Sequence, residues 1–379
     1  MKRNKAIYFD NAATTCPSDE VVLLYNRLEK EIYGNPNSIH HLGIEANKYL
    51  SKARDSILES FNVKSHQVIF TSSSTEANNL AIKGYCLAHQ NRGNHIITTN
   101  IEHPSVLECF KQLKEQFNFK VTILEVEKNG CVRLDDLKRA LNNSTILVSI
   151  MAVNNEIGSI NDIASISKIV KGFPKAVLHV DTTQAIGKVD LPYQSIDMFV
   201  VSSHKIHGLK GSGCLLARKN ISFLPLISGG GQEASFRSGT QSLALACTLA
   251  KALKEAFKAQ KENNNKIIQI NNYLRLKLAK IDGIHINSSE KASPYILNFS
   301  LLNKKASVVV EALSNDDIYV SSVSSCHSKR EESSYVVEAI SHDEKLASNT
   351  IRLSFDKDNT MEEAEEFIAS LKHILENIK

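Results

Sequence analysis

An α/β fold, with a mostly parallel, doubly wound sheet followed by a smaller α+β domain, is the architecture that this 379-residue sequence predicts. Three observations predict it. Short aliphatic or β-branched runs alternate with helical patterns from residue 67 to residue 217, the rhythm of βαβ units. The runs lack clean period-two alternation, as expected of strands covered by helices on both faces. Beyond a glycine-rich turn at 228–231 that rhythm gives way to one long helical pattern, then to mixed strands and helices.

The strand candidates are residues 67–71, 95–99, 120–125, 145–151, 176–180, 197–201 and 213–217. Helical patterns lie between most of them. Residues 44–61 carry Ala46, Leu50, Ala53, Ile57 and Phe61 along one stripe, and residues 105–117 form a second helix. Residues 243 to about 281 read as one long helix, and a Lys/Asn-rich stretch at 262–266 predicts a kink or a bridge. Strands at 295–300 and 350–355 then mix with helices at 306–313 and 361–378. The predicted organisation is a large domain over 14–250 and a small domain from 1–13 and 251–379. The small domain includes a Ser-rich, charged segment at 321–334.

Composition narrows the function. Apolar residues at 42% and charged residues at 23% fit a folded chain rather than a disordered one. A net charge of +4 is too thin for a polyelectrolyte binder, so nucleic acid is not an expected partner. The longest apolar run, 146–153, is interrupted by Ser149 and is too short to span a membrane. Only residues 6–9 are apolar after the basic N-terminus, too few for a signal-peptide core. Seven cysteines, at 16, 86, 109, 131, 214, 247 and 326, include no CxxC pair. Such spacing predicts reduced, mostly buried thiols and a cytoplasmic setting.

Two strand ends carry chemistry. The run 176–180 ends in Asp181, and the run 197–201 ends in Ser202-Ser203-His204-Lys205. In doubly wound sheets ligands bind outside the carboxyl ends of the strands, so both side chains are expected at the crevice. A partly desolvated lysine there has the lowered pKa that an amine nucleophile needs. An aspartate beside it could hold the pyridinium nitrogen of pyridoxal phosphate while the lysine binds its aldehyde. Upstream, the 67–70 strand runs into Thr71–Glu76 (TSSSTE), where Ser73 and Glu76 have capping-box spacing. The helix start this implies gathers hydroxyls and free N–H groups, an anion site. No GxGxxG follows the first strand, which argues against a nicotinamide enzyme.

These segments fall in order with others: Tyr8–Thr15 (YFDNAATT), Gly34-Asn35-Pro36, Val153–Gly158 (VNNEIG), His179–Gln184 (HVDTTQ) and Arg237–Thr240 (RSGT). From residue 7 to residue 356 the chain resembles the cysteine desulfurases, class V aminotransferase-like pyridoxal phosphate enzymes of fold type I. The resemblance implies a reaction that converts L-cysteine to L-alanine and leaves sulfur on an enzyme cysteine. It implies that Lys205 binds the cofactor aldehyde, Asp181 pairs with the ring nitrogen and Gln184 bonds the phenolic oxygen. Thr75, Ser202 and His204 would hold the phosphate, with Thr240 arriving from the second subunit of a homodimer. His103 would stack on the ring and move protons, Asn154 would touch cofactor or substrate, and Arg352 would clamp the substrate carboxylate. The resemblance also implies a sulfur-acceptor protein, such as an iron–sulfur scaffold or a tRNA-thiolation protein.

The sulfur-carrying residue implied is Cys326, in Ser321–Arg330 (SSVSSCHSKR), the one cysteine within a long polar stretch, with Cys16 as the second exposed candidate. Few apolar anchors predict a mobile loop, and His327, Lys329 and Arg330 would favour its thiolate. Related sequences usually read SSGSAC here, so Val323 and Ser325 replace Gly and Ala. Ser203, Leu209 and Ser333 stand where Gly, Pro and Pro are usual. Two neighbouring readings use the same Lys205 and Asp181: another class V aminotransferase or selenocysteine lyase, and a weakly active paralogue that serves as a binding partner.

Overall fold

The computed structural model describes residues 6–322 and 333–378. Thirteen strands are described: β1 (Ile7–Tyr8), β2 (His66–Thr71), β3 (His95–Thr99), β4 (Lys120–Leu124), β5 (Thr145–Ser149), β6 (Val177–Asp181), β7 (Met198–Ser202), β8 (Gly213–Arg218), β9 (Ile284–Ile286), β10 (Ile296–Leu301), β11 (Ile318–Tyr319), β12 (Ser321–Ser322) and β13 (Thr350–Ser354). The central sheet has the order β2-β8-β7-β6-β5-β3-β4. Four of its six pairings are parallel; β8 runs antiparallel to both β7 and β2. The strand at 213–217 was expected within a βαβ rhythm, yet no helical pattern separates it from β7. The chain instead turns back through residues 203–212.

Absence of alternation in the sequence has its cause here. In β7, Phe199 and Val201 pack with Ala46, Leu50, Ala53 and Ile57 of the helix His41–Ser60. Met198 and Val200 pack on the other face with Val106, Phe110 and Leu113 of the helix Pro104–Phe117. All five β7 residues are therefore buried. Each fully buried aliphatic or aromatic side chain contributes about 1.5–3 kcal/mol from water exclusion.

A second sheet, β12-β13-β10-β9, is antiparallel, and the short β1 pairs in parallel with β11. Its core centres on Phe9, which meets Phe355 and Phe367 edge-on at 5.2 and 5.9 Å. The helix Leu243–Leu278 joins the two cores without a break. Leu243, Leu249 and Leu253 pack on the first core, while Ile267, Ile270 and Leu274 pack on the second. The boundary drawn between residues 250 and 251 falls inside this helix. The 262–266 stretch bridges rather than kinks: Asn264 Nδ2 donates to the Lys188 carbonyl at 3.1 Å, and its Oδ1 accepts from Tyr295 Oη at 2.7 Å. No described helix is long and apolar enough to cross a membrane.

Candidate active site

Adjacent parallel strands β6 and β7 end side by side, with Asp181 paired to Val200. Asp181 is the last residue of β6 and is buried. Asn78 Nδ2 donates to its Oδ2 at 2.9 Å, and the Thr183 amide donates to its Oδ1 at 3.0 Å. Lys205 closes the short 3₁₀ turn Ser203–Lys205 that follows β7. Its Nζ donates to the carbonyls of Ala12 and Ala13, each at 2.6 Å. Burial, then the nearby Arg352 and Lys188 cations, lower its pKa to about 7, against the pull of Asp10 and Asp181. A lysine so placed is substantially a neutral amine at physiological pH, the form that attacks carbonyls.

His103 caps the helix Pro104–Phe117, and its Nδ1 accepts from the Ser105 amide at 3.1 Å. Burial lowers its pKa, and the fields of Asp181 and Lys205 both reach it. Gln184 is buried, with Nε2 on the Ala12 carbonyl at 3.0 Å. His204 meets Thr14 Oγ1 through Nδ1 at 3.1 Å. Burial, with Lys205 and Lys210 nearby, lowers its pKa to about 4, so it offers an anion a hydrogen bond rather than a charge. Thr75 lies in the first turn of the helix Ser74–Asn79.

The expected capping box there is only half formed. Ser73 Oγ accepts from the Glu76 amide at 3.3 Å, but Glu76 Oε2 turns to the Ser72 amide and hydroxyl at 2.8 and 2.7 Å. Its other oxygen takes Arg237 Nε at 2.9 Å. That bond joins the TSSSTE segment to the RSGT segment and fixes the approach to Thr240, which is exposed.

Buried polar atoms test whether a phosphorylated pyridine fits. Among the described residues, Gln184 Oε1, Thr183 Oγ1 and Ser202 Oγ are buried without a partner. An orphaned buried polar group costs about 1–3 kcal/mol unless something completes it. Here orphans cluster around a buried carboxylate and a neutral lysine, a donor and acceptor set that suits pyridoxal phosphate.

Arg352 lies on β13, and beside it His103, Asn155, Ser321, Ser322 and Tyr335 line one cavity; Lys205 is outside that lining. Arg352 Nη2 donates to Asp10 Oδ1 at 2.8 Å and Nη1 to the Asn155 carbonyl at 2.9 Å. Asn154 uses its amide on the backbone: Nδ2 on the Ile101 carbonyl at 3.0 Å, Oδ1 on the Glu156 and Ile157 amides at 2.8 and 3.0 Å. Its neighbour Asn155 lines the cavity, and its buried Oδ1 has no partner among the described residues. Tyr335 Oη donates to the Glu102 carbonyl at 2.8 Å, and Ser334 Oγ donates to Glu156. Cys326, with Val323, Ser325, His327, Lys329 and Arg330, lies outside the described residues. Of the other cysteines Cys16 is exposed, Cys86, Cys109 and Cys214 are buried, and Cys131 and Cys247 are half-buried.

Asp10, Asn78, Asn155 and Tyr335 were not singled out from the sequence. Asp10 and Asn155 lie inside motifs already in view, and Asn78 lies two residues beyond one. The partners that tie them to the site, Asp181, Arg352 and Glu102, lie more than 100 residues away and give no local signal.

The pattern of the family described as aminotransferase class-V matches residues 7–367. A "NifS/IcsS protein homolog" of Lactobacillus delbrueckii is 42% identical over 98% of this chain and 97% of its own length. "Cysteine desulfurase IscS" of Dictyoglomus turgidum is 36% identical over 100% of this chain and 96% of its own. A solved structure titled "NIFS-LIKE PROTEIN" superposes with a TM-score of 0.92 at 36% identity, covering 99% of this chain and 100% of that one.

Proposed function

We propose, starting from the fact that the chain belongs to the aminotransferase class-V family and is a cysteine desulfurase, how its residues divide the work. Pyridoxal phosphate is the cofactor, and when bound it supplies an aromatic ring that draws electron density from the substrate's Cα. Lys205 would tether it, Asp181 would face its ring nitrogen and Gln184 its phenolic oxygen. Thr75, Ser202 and His204 would hold the phosphate, with Thr240 of a second subunit.

L-Cysteine enters the cavity beside Arg352, whose guanidinium takes the α-carboxylate. The neutral Lys205 amine accepts the Cα proton, and the Ala12 and Ala13 carbonyls supply acceptors for the ammonium that results. His103, whose burial disfavours its charged form and which the fields of Asp181 and Lys205 both reach, would move a proton at the same site. The Cys326 thiol takes the substrate sulfur: enzyme thiol plus L-cysteine gives enzyme persulfide plus L-alanine. The persulfide then passes to an acceptor, for iron–sulfur cluster assembly or tRNA thiolation, in the cytoplasm.

The observation that carries this division of labour is the pairing of a buried carboxylate and a neutral lysine at neighbouring strand ends, among polar atoms that lack partners. Incubation with L-cysteine followed by mass spectrometry tests it. The added sulfur is expected on Cys326, and Lys205→Ala is expected to abolish alanine formation. Label on Cys16, or alanine and sulfide production that survives Cys326→Ala, would overturn the role given to Cys326.

A further inference from the structure

One short turn grips both basic side chains of the site. Residues 10–13 follow β1 and sit on the end of β13: Asp10 bridges to Ser354, and the Ala12 amide donates to Ser354 Oγ at 2.8 Å. From this turn the Ala12 and Ala13 carbonyls take Lys205, while the Asp10 carboxylate takes Arg352 Nη2. The Asn155 carbonyl takes Nη1. Arg352 Nε is buried and has no partner among the described residues. The guanidinium is thus fixed at two nitrogens, and its third, buried beside the cavity that Arg352 lines, still lacks an acceptor among the described residues.

Geometry and charge both make Asp10 matter. Arginine has several rotatable bonds, and binding a carboxylate with a loose fork would freeze them at the moment of binding. Asp10 and Asn155 freeze them beforehand. Arg352 also shares its surroundings with the Lys205 and Lys188 amines, whose charged forms it disfavours. Asp10 is the only carboxylate that touches Arg352 among the described residues. It balances the guanidinium on one side and leaves the Nε edge to a second anion.

We infer that Asp10 is a positioning residue for substrate recognition: it pre-orients Arg352 so that the remaining N–H edge receives the α-carboxylate of an amino acid. The inference rests on the reading of Arg352 as the carboxylate ligand, and the experiment separates the two.

Asp10→Asn and Asp10→Ala are measured in the cofactor-loaded enzyme with L-cysteine, and by inhibition with L-alanine and with ethylamine, which lacks the carboxylate. Losing one charge-assisted contact on the fork is expected to raise KM about tenfold, more for Ala than for Asn, with kcat within about threefold. L-Alanine inhibition should weaken by the same factor and ethylamine inhibition should not change. Asp10→Glu should recover part of the loss. An unchanged or lower KM in both variants overturns the inference. So does an equal weakening of L-alanine and ethylamine together with a lower melting temperature, the mark of a merely structural role. Arg352→Lys discriminates between the two readings. If it raises KM while the Asp10 variants do not, only the role of Asp10 fails; if it leaves KM unchanged, the carboxylate role of Arg352 fails with it.

Discussion

Glu102, next to His103, shows how a single side chain can carry a cost set by its surroundings. It is fully buried; Oε1 accepts from Thr99 Oγ1 at 2.7 Å and from the Met151 amide at 2.9 Å, and Oε2 has no partner among the described residues. Burial, aided by the Asp181 charge, pushes its pKa up to about 8, from an ordinary value of 4.5. The folded chain therefore keeps a proton that the unfolded chain releases above 4.5. Stability from this group is complete below that pH and is lost as the pH rises toward 8. Glu102→Gln keeps the Oε1 acceptor and removes the proton step. Denaturant unfolding should find the variant close to the parent at pH 5 and ahead of it at pH 8 by roughly 1–3 kcal/mol. An equal difference at both pH values would mean that Glu102 ionises like a surface carboxylate. Glu102 was not singled out in the sequence although it adjoins His103, because nothing local says that Met151 lies above it. Asp181 and Lys205 were legible because each ends an apolar run, and parallel sheets present strand ends to one crevice.

Among the elements, helices were read most faithfully where one apolar stripe meets one core. The pattern beginning at Leu243 appears as the unbroken helix Leu243–Leu278, although its stripe changes partner between its halves. Direction was not legible in β8, since an apolar run such as Cys214–Ala217 reads the same either way. Its start matters for the site. A Cβ at Gly213 would lie 2.7 Å from the Val201 carbonyl oxygen and 2.9 Å from the Ser73 carbonyl carbon, both backbone atoms that cannot rotate away. Glycine here lets the turn carrying Thr75 close onto the strand ends. Gly213→Ala must push that turn outward and should weaken pyridoxal phosphate binding about tenfold, at a stability cost of about 1–3 kcal/mol. Gly172→Ala, where the nearest atom is a carbonyl oxygen at 3.2 Å, serves as control. Cofactor titration of the stripped proteins, followed by absorbance, reads the difference; equal affinities would show that the turn has slack. A similar close fit accommodates Ser203 in place of the usual glycine: its Oγ lies 2.0 Å from where a Cβ on Gly208 would be.

At the scale of the whole molecule, one face is too apolar to stay bare. Tyr33 and Ile39 are 71% and 95% exposed, and Leu42 and Ile44 project from the start of the adjoining helix. Asn37 Nδ2 reaches Gln241 Oε1 at 3.4 Å, which puts the exposed Thr240 at the edge of this patch. The Ser238 amide donates to the Ile227 carbonyl at 3.0 Å, and Ile227, Leu224 and Leu226 are further half-exposed apolar side chains. Exposed large apolar side chains such as Tyr33 and Ile39 favour an association site here. A two-fold dimer would cover it with its own copy and carry Thr240 toward the partner's phosphate site. The Gly34-Asn35-Pro36 and Arg237–Thr240 motifs, 200 residues apart, would then share one purpose: shaping an interface that completes the cofactor site. Ile39→Asp places a charge at the most exposed large apolar side chain among the described residues. Sedimentation is expected to show a shift from dimer to monomer at micromolar concentration, and pyridoxal phosphate affinity should fall with the dimer fraction. A variant that remains dimeric would locate the interface elsewhere. A monomer that binds the cofactor undiminished would show that Thr240 plays no part across the interface.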